Sequence, residues 1–262
     1  MTRNIASALR HAPALETQRL LASFARSPEE VKEAQRLRHR VFVDEMGAQA
    51  SAPEARLERD RFDPFCRHLI VRDALTGQVV GTYRVLTPER AAALGSFMAE
   101  REFDLTGFQS IRGQIAEVGR ACIDPRYRRG STIMVLWSAL AAFASARRIR
   151  FLFGCVSVAF GDSPAVDASA IFEQLASRHL APERYRVEPR EPLRRRGSAG
   201  TDAAPRLPAL LKGYLRAGAW ICGEPAWDSE FRTADLPVLL PIERVEGRYA
   251  RHFLREAAMA EA

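Results

Sequence analysis

Residues 115–131, IAEVGRACIDPRYRRGS, decide how this chain folds. Ile115 to Ile123 is a short apolar run of strand length. Asp124 to Gly130 holds Pro, Gly and four arginine or tyrosine side chains, the composition of a turn. From Ser131 to about Arg147 the chain becomes apolar at helical length. A strand thus ends in a basic turn that opens a helix. The first amides of a helix lack intrahelical partners, so this geometry is ready to hold an anion, and Arg128 and Arg129 add full charges beside it. An ordinary strand-to-helix turn with solvated arginines would read the same way.

Outward from this stretch the pattern is mixed α/β. Glu16 to Phe24 reads as a first strand. Ser27-Pro28-Glu29-Glu30 is a helix start, with Ser27 as cap, Pro28 at the first helical position and Glu30 closing a capping box. Val31, Ala34, Leu37 and Val41 continue it at helical spacing. Gly47 to Pro64 reads as a long polar loop. His68–Arg72 and Val79–Leu86 read as a hairpin around Thr76-Gly77. Pro88–Glu102 suits a helix, Arg150–Val156 a strand and Ser163–His179 a helix. Residues 182–208 are rich in Arg, Pro and Gly and read as an insertion loop. A helix near Leu207–Ala219 and a strand at Val238–Pro241 complete the order, which is not the strict βαβ alternation of a doubly wound fold. The expected organisation is a loose leader at 1–15, one domain over 16–253 and a tail at 254–262.

The 262 residues are 47% hydrophobic and 27% charged, ordinary for a folded chain. Net charge is +7, and of the 39 basic residues only Lys32 and Lys212 are lysine. Cys66, Cys122, Cys155 and Cys222 are far apart, with no CxxC and no zinc spacing. No disulfide framework, no metal and no tightly bound cofactor are expected. The N-terminus lacks a signal-type apolar core, and no stretch is long enough to span a bilayer. A cytoplasmic protein is expected, with a basic surface suited to peripheral contact with the anionic face of the inner membrane. There is no GxGxxG, GxxxxGK[ST] or GxSxG, which disfavours a nucleotide-binding enzyme or a serine hydrolase. A basic nucleic-acid-binding module remains as an alternative, although helix-turn-helix, RNP and zinc-finger patterns are missing.

The turn from Ile123 to Gly130 resembles the pantetheine-phosphate turn of the GNAT acyltransferase superfamily. That resemblance implies a central, mostly antiparallel twisted sheet flanked by helices. Arg128, Arg129, Gly130, Ser131 and Thr132 would hold the phosphopantetheine phosphate of an acyl donor. Further glycines are usual in that turn, but here Ser131, Thr132 and Ile133 follow Gly130. Close backbone approach to a pyrophosphate is harder without glycine, which favours the single phosphate of an acyl carrier protein over coenzyme A. A wider set resembles the acyl-homoserine-lactone synthases: Arg40-Val41-Phe42, Asp60, Asp63, Gly81–Leu86, and Glu117 with Arg120. Residues 38–47 (RHRVFVDEMG), 62–66 (FDPFC), 81–84 (GTYR), Leu136-Trp137, 153–155 (FGC) and 211–216 (LKGYLR) resemble bacterial ornithine N-acyltransferases of ornithine-lipid synthesis.

This resemblance implies transfer of a 3-hydroxyacyl group from acyl carrier protein to the α-amine of ornithine. An acyl-homoserine-lactone synthase is the runner-up. Direct attack by the amine needs no Ser–His or Cys–His pair. Glu117 is the implied catalytic base. Arg84 is a clamp for the substrate carboxylate, since guanidinium matches it bidentately. Arg40 and Arg120 join the substrate-binding set. Asp63, with Asp60 behind it, would bind the side-chain ammonium or order the loop. Positions 117 and 120 lie on opposite faces of a regular strand, so both reach one cleft only across a bulge, which the superfamily resemblance leads one to expect. The run from Arg184 to Arg196 is either a solvated loop or a surface for an acidic carrier protein or anionic lipid headgroups.

Overall fold

The computed structural model describes residues 20–49, 53–128, 130–158, 164–193 and 207–245. The expected leader and tail, Arg129, and the Arg194-Arg195-Arg196 run lie outside them.

The main sheet runs β1 (Leu20–Phe24), β2 (Arg67–Asp73), β3 (Val79–Leu86), β5 (Ile115–Ile123), β6 (Phe151–Val158), β10 (Thr233–Pro241) and β8 (Trp220–Ile221). A short strand, β9 (Ala226–Asp228), also pairs with β10. Every pairing in this sheet is antiparallel except β5 with β6. A second small sheet joins β4 (Phe103–Asp104) to β7 (Glu188–Pro189). The helices are α1 (Pro28–Arg38), α2 (Pro88–Leu94), α3 (Ser131–Ala146), α4 (Pro164–His179) and α5 (Ala209–Arg216).

Both sheet faces are covered. α3 lays Leu136, Leu140 and Ala144 on one face against Tyr83, Val118 and Leu152. On the other, Phe97, Phe103 and Phe108 pack against Ile115, Phe153 and Leu239. β3 (VVGTYRVL), covered on both sides, is buried at every residue, which is why it shows no alternating solvent face.

Three features position the cleft. β5 and β6 pair only from Ile115–Phe151 to Glu117–Phe153. Beyond that point β6 stays with β10 while β5 stays with β3. Gly154 sits where they part, and a Cβ there would collide with the Val118 carbonyl oxygen. Second, β5 carries the bulge that the placement of Glu117 and Arg120 demands. Register passes from Thr82–Cys122 to Arg84–Gly119, so two residues oppose Tyr83, and Arg120 takes φ +50°. Third, α1 continues into a wide π-helical turn at His39–Glu45, which leaves Phe42, Glu45 and Met46 on the cleft wall.

Some expectations change. The helix read over Pro88–Glu102 stops at Leu94, because Gly95 adopts φ +80° and ends it with a left-handed cap. A separate 3-10 turn follows at Met98–Arg101. The polar loop of Gly47–Pro64 is not solvated throughout: Glu58 and Asp63 are buried. The first half of the insertion packs onto the body, where Arg190 N donates to Glu102 O at 2.8 Å.

Candidate active site

A cleft of about 1180 Å³ opens where β5 and β6 part. Val118 to Ile123 of β5 form one side and Gly154 to Ser157 of β6 the other. Val118, Leu136, Leu140, Leu152, Trp137 and Tyr214 make an apolar half beneath α3. Trp137 stacks on Tyr214 at 5.2 Å between ring centroids. The opposite half carries Glu102, Glu117, Asp228, Asp235, Arg84 and Arg120.

Glu117 lies at the parting of the strands. It is 2% exposed. Its carboxylate accepts from the Met98 amide at 2.5 Å and the Ala99 amide at 2.7 Å. The break at Gly95 is what turns these amides toward it. Burial pushes the carboxyl up to about 7, and the two amides oppose that rise. Glu117 therefore anchors the 98–101 turn and also titrates near neutrality.

Arg84 is 2% exposed. Its Nη1 donates to Asp60 at 2.7 Å and to Asp63 at 2.9 Å. Arg38, fully buried, pairs with Glu58 and Asp63, both at 2.6 Å. Arg120 pairs with Glu58 at 3.0 Å and Asp60 at 3.2 Å, and its guanidinium lies 4.3 Å above the Phe231 ring. The result is one network of three arginines and three carboxylates. Burial works to raise the Asp63 carboxyl, but Arg38 and Arg84 outweigh it and hold it well below the usual range. Within this network the Nε of Arg84 has no partner.

At the turn before α3, Tyr127 Oη donates to Asp73 at 2.6 Å, and Thr132 Oγ1 donates to the Tyr127 carbonyl at 2.9 Å. Gly130, at φ +98°, precedes α3, and no side chain caps that helix among the described residues. Arg128 grips Glu45 through two nitrogens, at 2.5 and 2.7 Å.

Of the residues singled out in the sequence, Arg84, Glu117, Arg120, Arg128 and Gly130 line the cleft. Asp63, Ser131 and Thr132 stand behind its wall, and Arg40 is half exposed beside Asp124 at 3.9 Å. The cysteines are poor nucleophiles: burial pushes Cys66 and Cys122 up to about 12 and Cys155 well above the usual thiol range. Sequence reasoning missed Glu102, Asp228 and Asp235. Glu102 ended an expected helix, and the 227–230 stretch (WDSE) lay in a segment read as irregular.

Among the described residues no helix is long and apolar enough to cross a membrane. An acetyltransferase (GNAT) domain family matches residues 37–138, from the end of α1 through half of α3. An L-ornithine N(alpha)-acyltransferase of Rhodobacter capsulatus is 35% identical over 88% of this chain and 93% of its own. One from Brucella abortus is 34% identical over 89% and 88%. Among solved structures, the acyl-homoserine-lactone synthase LasI aligns at TM-score 0.51 and 14% identity, covering 88% of this chain and 96% of its own. A CoA-dependent acyl-homoserine lactone synthase, BjaI, solved with SAM and isopentyl-CoA, aligns at 0.52 and 14%, covering 91% and 89%. These structures share the acyltransferase fold.

Proposed function

The chain belongs to the L-ornithine N(alpha)-acyltransferase family, and from that premise we propose that it moves a 3-hydroxyacyl group from acyl carrier protein to the α-amine of L-ornithine. The observation that carries the reading is Glu117: a buried carboxylate, titrating near neutrality, where two strands part between an apolar half-cleft and a polar one.

In the proposed reaction the phosphopantetheine arm enters between β5 and β6. Its phosphate meets the N-terminus of α3 at Gly130, Ser131 and Thr132, with Arg128 alongside. The acyl chain lies along Leu136, Leu140, Leu152 and Trp137. The amino acid binds on the other side of the sheet, its carboxylate on the unused edge of Arg84 and near Arg120. Glu117 takes a proton from the α-ammonium. The free amine nitrogen then attacks the thioester carbonyl carbon. A C–N bond forms, the C–S bond breaks, and the second proton shed by the acylated nitrogen goes to the pantetheine sulfur, which leaves as the thiol. A backbone amide of the Arg120–Ala121 bulge steadies the oxyanion in this reading. Asp63 holds Arg84 rather than meeting substrate, and Arg40 steadies the phosphate turn through Asp124.

An acyl-homoserine-lactone synthase reading rests on fold likeness alone. We expect the protein to work in the cytoplasm, with its basic surface meeting the carrier and anionic membrane. The test is acyl carrier protein, or coenzyme A of the same chain length, incubated with single amino acids and read by mass spectrometry. An N-acylated ornithine formed faster from the carrier supports the proposal. Equal kcat/KM with the coenzyme A donor removes the carrier preference, and no acylated amino acid removes the function.

A further inference from the structure

On the acceptor side of the sheet, the side-chain donor atoms of Glu102, Cys155 and Asp235 all lie within 4.8 Å of one another. Glu102 follows the 98–101 turn, Cys155 is on β6, Asp235 is on β10, and Asp228 closes β9 beside them. All four line the cleft. Asp228 accepts from the amides of Glu230 and Phe231 at 2.8 and 3.1 Å, and Asp235 accepts from Thr233 Oγ1 at 2.9 Å. Hydrogen bonds of this kind orient a carboxylate but do not neutralise it.

Two nearby cations, Arg101 and Arg120, are committed elsewhere. Arg101 pairs with Glu230 at 3.1 Å, and Arg120 with Glu58 and Asp60. Among the described residues no arginine, lysine or histidine reaches Glu102, Asp228 or Asp235 within ion-pair distance. Burial, and then the neighbouring carboxylates, raise Glu102 and Asp235 above the usual carboxylate range, with Arg101 and Arg120 only partly opposing this for Glu102. A second, independent feature lies in the same cleft: Arg84 is 2% exposed and its Nε is unpartnered. The cleft therefore offers an uncommitted guanidinium edge and an uncommitted acidic cluster, with Phe42, Met98 and Phe231 lining it as well.

Resting on the acyl-acceptor reading above, we infer that Glu102 and Asp235, with Asp228 beside them, bind the side-chain ammonium of the amino-acid acceptor and so select amino acids that end in a cation. The apolar residues suit the methylenes of such a side chain. A metal ion is a poorer occupant, since the thiol of Cys155 stays protonated and two carboxylates alone fall short of a hard cation's oxygen shell.

The test titrates the full chain calorimetrically with L-ornithine and with L-norvaline, which has the same carbon chain without the side-chain ammonium. A site built for a polar group rejects an analogue lacking it, so ornithine should bind roughly 100-fold more tightly. Glu102→Gln and Asp235→Asn should each cut that preference to about 10-fold or less while leaving norvaline affinity unchanged. Thermal melting checks folding; if Asp235→Asn does not fold, the less buried Glu102→Gln decides. Equal binding of both amino acids by the native protein overturns the inference, as does an undiminished preference in a folded variant. Preference without acyl transfer would sink the proposed reaction alone. Equal acylation of norvaline and ornithine would sink this inference alone.

Discussion

Two groups of carboxylates, buried or half-buried, stand at the same cleft and differ in one respect. Glu58, Asp60 and Asp63 meet three arginines at 2.6 to 3.2 Å. Glu102, Asp228 and Asp235 meet none within ion-pair distance among the described residues. The first group finds its partners within the fold, and it welds α1, β3, β5 and the 53–65 loop into one wall. The second group is held close together with no cation beside it, and burial and crowding raise Glu102 and Asp235. Unpaired buried charge is expensive to a fold and persists where something outside the chain answers it. Paired charges build this site, and unpaired ones are what a substrate meets.

Glu117 lies on the seam between the groups, and its variant carries the largest expected effect. Glu117→Gln keeps the shape and loses the base, so kcat should fall by about 10²–10⁴, and the loss should shrink as pH rises and more amine is already neutral. A second reading of the same variant concerns stability. The folded carboxyl sits at about 7, above its ordinary 4.5. It contributes stability that is present below about pH 4.5 and is lost as pH rises through about 7. The glutamine variant should flatten the pH dependence of melting across that window. A variant with native kcat at neutral pH would leave Glu117 only its anchoring of the 98–101 turn.

Breaking the paired group comes next. Arg38→Met takes one of two arginine partners from each of Glu58 and Asp63, and loss of one partner of a buried pair costs about 3–5 kcal/mol. Urea unfolding should show that loss. A change within the range of surface substitutions would mean the network is not what holds the wall. Arg84→Lys is milder. It keeps a charge between Asp60 and Asp63 but removes the planar fork, so KM for the amino acid should rise by about 10- to 100-fold, and unchanged amino-acid kinetics would place Arg84 wholly in the wall. The smallest effect belongs to Arg128→Ala. Its pair with Glu45 is substantially exposed and worth about 1 kcal/mol or less to stability. KM for the donor should nevertheless rise a few-fold and lose part of its salt dependence.

The strand, basic turn and helix of residues 115–146 are legible because each is local: apolar run, turn residues and helix period agree without help from the rest of the chain. The hairpin of β2 and β3 is legible for the same reason. Pro88–Glu102 misleads because one left-handed glycine, Gly95, outweighs the helix-forming residues on both sides. β8, β9 and the first half of β10 escape notice because they are two to five residues long or carry Thr233 and Asp235 where alternation is expected. In the site, Glu117, Arg84 and Arg120 are visible by resemblance, yet their partners are not. The pairing of Arg38 with Glu58 and Asp63 spans 20 and 25 positions, and Glu102 meets Asp235 across more than half the chain. Whether a carboxylate is answered or unanswered is a property of such long-range contacts and has no local signature.

Proton counting tests the contrast most directly. Glu102, raised by burial and by the neighbouring carboxylates, holds a proton that a bound ammonium should displace, whereas Arg38 and Arg84 hold the Asp63 carboxyl well below the usual range. Calorimetric binding of ornithine at pH 7–8, repeated in buffers of different ionisation enthalpy, gives the number of protons exchanged, with norvaline correcting for the α-amine and carboxylate they share. The account predicts net proton release with ornithine beyond that with norvaline, and its disappearance in Glu102→Gln. Equal exchange for the two amino acids, or proton uptake with ornithine, would contradict it.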